Sequence, residues 1–197
     1  MQLEAVDAQY DAVKRFEYVP KGDDVEVWLI GSRYRVGRYV MKGGKKGEWN
    51  KQLNEPLEPN SIYNVDGYLY ETDNLGRVKN VKGKLKLKDR GRNQYQQAKS
   101  VKIKDGVVGE DDGGHLIAQI FNGPGEQINY LPMDRASNQY GEWRQLEREW
   151  QEFLEANSRN SVEVNITPIF DADSSRPISF RVNYKLNGRN KFRNISN

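Results

Sequence analysis

The sequence predicts an α+β protein with a mixed or antiparallel sheet at its core. Short runs of apolar residues recur between turn signals such as Asp66-Gly67 and Asn74-Leu75-Gly76, which is the signature of hairpins. Residues 137–156 carry Trp143, Leu146, Trp150, Phe153 and Leu154 as one apolar stripe at helical spacing. Two longer runs, 162–170 and 178–186, flank the loop 171–177 and read as closing strands.

The elements follow in order. Residues 2–16 read as a helix, because Leu3, Val6, Tyr10, Val13 and Phe16 recur at roughly helical spacing and Pro20 and Gly22 stop it. Residues 25–30 and 34–40 read as strands across the turn Gly31-Ser32. Gly43, Gly44 and Gly47, with Lys42, Lys45 and Lys46, read as a flexible connection. A soft boundary near Leu57 separates an N-terminal helix and hairpin extension, 1–56, from a domain of 57–197. Residues 62–87 read as two hairpins, with Val81-Lys82-Gly83 as a further turn. Residues 92–99 read as a short helix, and 113–125 as a glycine-rich stretch around one apolar run. Ser137 or Asn138 is placed to cap the helix of 137–156.

Composition removes several classes of function. The chain has 197 residues, about one domain with an extension. It is 11% aromatic with a net charge of only +3, which argues against wholesale disorder. No apolar run is long enough to span a membrane. The first 16 residues lack the apolar core of a secretory signal peptide. With no cysteine, disulfides, iron–sulfur clusters and cysteine nucleophiles are excluded. His115 is the only histidine, so no two-histidine metal site forms within one chain.

Charge is unevenly spread. Between Arg77 and Lys104 lie eleven basic residues and one acid, Asp89. Lys84, Lys86 and Lys88 alternate with Leu85 and Leu87, which on a strand aligns three ammonium groups on one face. With Arg90, that face reads either as a phosphate-binding surface or as an edge protected by lysines against aggregation.

The chemistry concentrates in Asp111-Asp112-Gly113-Gly114-His115-Leu116-Ile117, then Asn129 to Met133, then Asn138 to Trp150. Singly, each feature has an ordinary reading: a structural histidine, a helix N-cap, solvated glutamates, a glycine turn. Together they describe a strand ending in a glycine turn with the only imidazole, a second strand, and a helix opening on an amide.

These motifs resemble the DNA/RNA non-specific endonucleases of the ββα-metal (His-Me finger) superfamily. The family motif Asp-Arg-Gly-His reads here Asp112-Gly113-Gly114-His115. The likeness is greater to the C-terminal nuclease tails of Gram-positive LXG polymorphic toxins, exported by type VII secretion. Their Asp-Gly-Gly-His-Leu-Ile core matches residues 112–117. Tyr70, Thr72, Asp73, Gly76, Arg77 and Val78, then Arg92-Asn93, Tyr95-Gln96-Gln97 and Arg176-Pro177, match further segments. The resemblance spans roughly 57–186.

It implies a ββα-metal finger in which His115 is the general base and Asn138 ligates one divalent ion. Glu147, with Glu149 as the alternative, would hold a water of that ion's shell, and Asn129 would support the site. Gly113 replaces the family arginine, so the phosphate-neutralising arginine must come from elsewhere, with Arg92 and Arg176 as candidates. An asparagine oxygen suits Mg²⁺ or Mn²⁺, and an imidazole is matched to deprotonating water near neutrality. The implied substrate is DNA, with RNA also open because water is the nucleophile. The implied partner is an immunity protein in the producer, and the implied route is type VII-like export into the target-cell cytoplasm. The alternatives are a non-catalytic nucleic-acid-binding module or inactive toxin relative bound by an immunity protein, and a structural or interaction domain whose basic stretch docks an acidic protein.

Overall fold

The computed structural model describes residues 16–21, 24–29, 35–54 and 56–197. In chain order these form β1 (Phe16–Lys21), β2 (Asp24–Leu29), β3 (Arg35–Met41), β4 (Ser61–Val65), β5 (Tyr68–Thr72) and β6 (Val78–Lys84). Helix α1 (Gln94–Ile103), β7 (Asp111–His115), β8 (Tyr130–Asp134), α2 (Arg135–Gln139) and α3 (Glu142–Ala156) follow. The chain closes with β9 (Val162–Phe170), β10 (Pro177–Leu186) and β11 (Arg189–Ser196). This is the expected α+β class.

Nine strands make one sheet in the order β1-β2-β3-β4-β5-β6-β9-β10-β11. Every pairing is antiparallel except β3 with β4. Alternation dictates which face is buried. Tyr63, Val65, Tyr68 and Tyr70 point into the core, while Ile62, Asn64, Leu69 and Glu71 take the other face. Asp66-Gly67 and Asn187-Gly188 have positive φ at both positions, the geometry that matches strand twist in a two-residue hairpin.

The buried face is covered by α3 and by the hairpin β7–β8. Trp143, Leu146 and Trp150 are the buried stripe of α3. Trp143 meets Phe180 at 5.0 Å between ring centroids, and Trp150 meets Tyr184 edge-on at 5.6 Å. Each such buried side chain contributes about 1.5–3 kcal/mol, so α3 is fixed chiefly by this stripe.

Several expectations are corrected. Val81-Lys82-Gly83 is not a turn but lies within β6. Gly83 serves close packing, since a Cβ there would stand 2.6 Å from the Tyr68 ring. The single helix of 137–156 is two helices. Asp134, not Ser137 or Asn138, caps α2 by accepting the Ser137 N–H at 2.8 Å. The Tyr140 and Gly141 N–H groups both donate to the Ala136 carbonyl and end α2, and Gly141 becomes the N-cap of α3. β6 ends at Lys84, so Lys84, Lys86 and Lys88 do not share one strand. Strand β11 was not anticipated. Residues 2–15 of the expected first helix lie outside the described residues, and Phe16 opens β1. Among the described residues no helix is long and apolar enough to cross a membrane.

Candidate active site

The candidate site is built on a two-stranded finger. β7 and β8 pair antiparallel from Asp111 opposite Asp134 to His115 opposite Tyr130. Gly113 and Gly114 lie inside the strand rather than in a turn. A Cβ on Gly113 would stand 2.0 Å from the Gln97 carbonyl oxygen. Helix α1 therefore presses directly on this position, which is why the family arginine has no room here.

His115 ends β7 with its ring tilted against Tyr130 at 4.9 Å. Its Nε2 is buried and has no hydrogen-bond partner among the described residues. Burial, reinforced by the Arg92 guanidinium, pushes the imidazole pKa down to about 4. The ring is therefore neutral at pH 7, with a lone pair available to take a proton.

Arg92 is the hinge of the electrostatics. Its side chain is exposed and forms no hydrogen bond or ion pair among the described residues. Its charge acts on both His115 and Glu147. Glu147, on α3, is half-buried, and its carboxyl pKa rises to about 7 because desolvation outweighs the nearby Arg144 and Arg92. Arg144 approaches it at 3.5 Å. Glu149 is instead committed to the fold, accepting from the Tyr184 hydroxyl at 2.9 Å and pairing with Lys191 at 2.5 Å. The two glutamates thus differ: the Arg92 charge acts on Glu147 as on His115, whereas Glu149 is taken up by Tyr184 and Lys191.

Asn129 is wholly buried and fully used. Its Oδ1 accepts from the Tyr70 hydroxyl and the Ile117 N–H, both at 2.9 Å. Its Nδ2 donates to the carbonyls of Ile117 and Pro124. It therefore holds the loop that leaves His115, and Tyr70 belongs to the sequence segment noted above.

Asn138 lies on α2, where its Nδ2 donates to Asp112 Oδ2 at 3.4 Å. Arg135 and Gln139 converge on the same carboxylate. No hydrogen bond or ion pair joins Asn138 to His115, Arg92 or Glu147 among the described residues. Arg176 pairs through Nε and Nη2 with Asp111 at 2.7 and 2.8 Å, at the opposite end of β7 from His115. Burial raises the Asp111 pKa, but Arg176 and the Val107 N–H overcome this and hold it below the usual value.

Of the basic run, Lys84, Lys86 and Lys88 are exposed. Arg90 is not available to a ligand. Its guanidinium binds Asp66 at 2.5 Å, Asn122 at 3.0 Å and the Gly44 carbonyl at 2.9 Å. Sequence reasoning missed Glu126, a fully buried carboxylate that accepts the Gly44 and Asn50 N–H groups, both at 2.7 Å. The supposedly flexible glycine connection is therefore anchored. A charged residue within an otherwise uncharged stretch, Pro124 to Pro132, was the available signal.

The donor set admits a hard cation. Asn138 uses only its amide nitrogen, which leaves the oxygen that such an ion takes. No group of three or more His, Cys, Asp or Glu forms a metal cage among the described residues, so an ion here would rely on one side-chain oxygen and water.

Residues 59–188 match the family model of the DNA/RNA non-specific endonucleases. The type VII secretion system protein EssD of Staphylococcus aureus strain USA300 is 39% identical over 137 residues, 66% of this chain and 22% of that protein. EssD of strain NCTC 8325 / PS 47 matches to the same extent. The chain thus spans less than a quarter of the length of these curated relatives. Among solved structures, Sda1 nuclease with bound zinc ion aligns with a TM-score of 0.50 and 14% identity, over 66% of this chain and 74% of that one. This last likeness concerns the fold alone.

Proposed function

The chain belongs to the DNA/RNA non-specific endonuclease family, hydrolases acting on nucleic acids, and from that premise we propose that it is a metal-dependent endonuclease cleaving DNA, with RNA as a second substrate. We further propose that it works as an antibacterial toxin domain, delivered by type VII-like secretion into the target-cell cytoplasm and restrained in the producer by an immunity protein. The likeness to EssD supports the secretion reading. The catalytic unit is placed at 57–197.

The observation that carries the catalytic reading is the neutral His115, whose buried Nε2 has no partner among the described residues and which feels the Arg92 charge together with Glu147. A phosphodiester needs a proton acceptor for the attacking water and cover for its negative charge. His115 accepts the proton. A general base of this kind contributes about 10²–10⁴-fold. Arg92, exposed and uncommitted, meets the non-bridging phosphate oxygens, a role worth roughly 10²–10³-fold. A phosphate paired with Arg92 also removes the charge that depresses His115 and adds one of opposite sign, so the bound substrate raises the ring's basicity. Glu147 stores negative charge or a proton beside Arg92, and Asn129 holds the loop after His115. One Mg²⁺ or Mn²⁺, held by Asn138, would supply Lewis-acid stabilisation of the leaving oxygen. Arg176 is assigned to the fold through Asp111, and Lys84, Lys86 and Lys88 to the phosphate backbone.

The test incubates the chain with plasmid and with RNA, in Mg²⁺ or Mn²⁺ and in EDTA, beside His115→Ala. Cleavage that needs the ion and the imidazole is the expected result. Nucleic acid bound but never cut would favour the non-catalytic module, and full turnover in EDTA would reject the metal.

A further inference from the structure

Residues 42–50 precede the family-matched segment, 59–188, and carry Lys42, Lys45 and Lys46 among three glycines. Such a loop is ordinarily a mobile connection. Here it is fixed at several points. Glu126 Oε1 accepts from the Gly44 and Asn50 N–H groups. The Gly43 N–H donates to Asp66 Oδ2 at 2.9 Å. Arg90 donates to the Gly44 carbonyl, and the Asn50 amide to that of Lys42, both at 2.9 Å. The Trp49 ring lies so close over Gly125 that a Cβ there would stand 2.3 Å from it.

Burying a carboxylate such as Glu126 is costly unless its hydrogen bonds recover the loss. What this one secures is the position of an exposed lysine cluster. That cluster adjoins the basic run. Asp66 donates its N–H to the Met41 carbonyl and accepts, at its own carbonyl, from Lys86 Nζ, so Lys42 and Lys86 flank one turn. The Lys88 N–H donates to the Ile120 carbonyl and the Arg90 N–H to that of Gln119. The segment from Lys86 therefore runs along the loop that leaves His115 and reaches Arg92 two residues after Arg90. The nearby acids do not cancel the cluster. Asp66 is taken by Arg90 and Gly43, and Glu48 pairs with Lys45 where both side chains are over 70% exposed, a pair worth little in water.

We propose that the anchored 42–50 loop is a second phosphate-binding wall, on which Lys42, Lys45 and Lys46 extend the track of Lys86 and Lys88 along the nucleic-acid backbone away from the reacting centre. This rests on the nuclease reading. Lysines are point charges that hold phosphate without reading bases, as a non-specific enzyme requires. A loop fixed beforehand avoids the ordering cost that a mobile one pays on binding.

The experiment measures binding of a fluorescent duplex of about 20 base pairs across a salt series, in EDTA to prevent turnover. Each lost phosphate contact lowers the slope of log K against log salt by about 0.9. The full chain carrying Lys42→Ala, Lys45→Ala and Lys46→Ala should therefore show a slope shallower by roughly 2–3. Lys185→Ala, an exposed lysine on the far strand β10, should keep the parent slope. A triple variant with the parent slope, while Lys86→Ala with Lys88→Ala flattens it, overturns the loop's role and leaves the nuclease reading standing. A parent chain that binds no duplex overturns both.

Discussion

The two ends of β7 use the same kinds of residue for opposite purposes. At the Asp111 end, the carboxylate has 1% of its side chain exposed and is gripped by Arg176 through two hydrogen bonds. At the His115 end, an imidazole nitrogen is buried with no partner among the described residues, and Arg92, whose charge reaches it, is exposed. A buried polar group without a partner costs stability. Satisfied groups hold a fold, whereas an unsatisfied one beside an open cation is equipped to act on something that arrives. Three residues of one strand thus separate a structural clamp from the proposed reacting centre.

The strongest way to break this contrast is at the His115 end. His115→Ala should lower duplex cleavage by about 10²–10⁴-fold while the melting temperature stays within a few degrees of the parent. A large stability loss with cleavage retained would make the ring structural. Next, Arg92→Ala should reduce kcat/KM by roughly 10²–10³-fold with unchanged denaturant stability. Arg176→Ala should do the reverse, because it strands the buried Asp111. It should cost roughly 3 kcal/mol in denaturant unfolding. If Arg176→Ala abolished cleavage in a chain of parental stability, the division of roles would fail. The Asp111 contribution also has a pH sign. A carboxyl held below its usual pKa stabilises above that range and loses its contribution as the pH falls through it.

The smallest effect concerns Glu147. Its pKa rises from 4.5 to about 7 on folding, so the folded chain holds a proton that the unfolded chain releases between these values. That stability is present below about pH 4.5 and lost as the pH rises through 7. Glu147→Gln should therefore melt higher than the parent at pH 9, by about 2–4 °C per kcal/mol gained, and the difference should shrink by pH 5. A constant difference across that range would show that the Glu147 carboxyl is not desolvated as described.

How much of this was legible in the sequence follows from the range of the interactions. Strand β9 was readable because Val162, Val164 and Ile166 alternate with polar residues, so local pattern and burial agree. Strand β11 was not, because only Phe192 and Ile195 are large and apolar in Arg189–Ser196, a largely exposed strand at one end of the sheet. The Asn187-Gly188 turn before it was the missed signal. The break between α2 and α3 was hidden by an amphipathic pattern that runs across it, although Gly141 marks it. His115 and Asn129 stood out by type and order. The partnership of Asp111 with Arg176 spans 65 positions and could not be read locally. The same holds for the anchoring of Gly44 and Asn50 by Glu126, and it turned an apparently loose connection into a fixed loop.

His115 is the single histidine of the chain, so its imidazole can be followed without ambiguity by NMR in the untagged protein. Burial and the Arg92 charge are expected to bring its midpoint down to about 4 in the absence of substrate. A midpoint at about 6.5, the value of a ring in water, would contradict the desolvated placement of the ring within reach of the Arg92 charge, on which this account of the site rests.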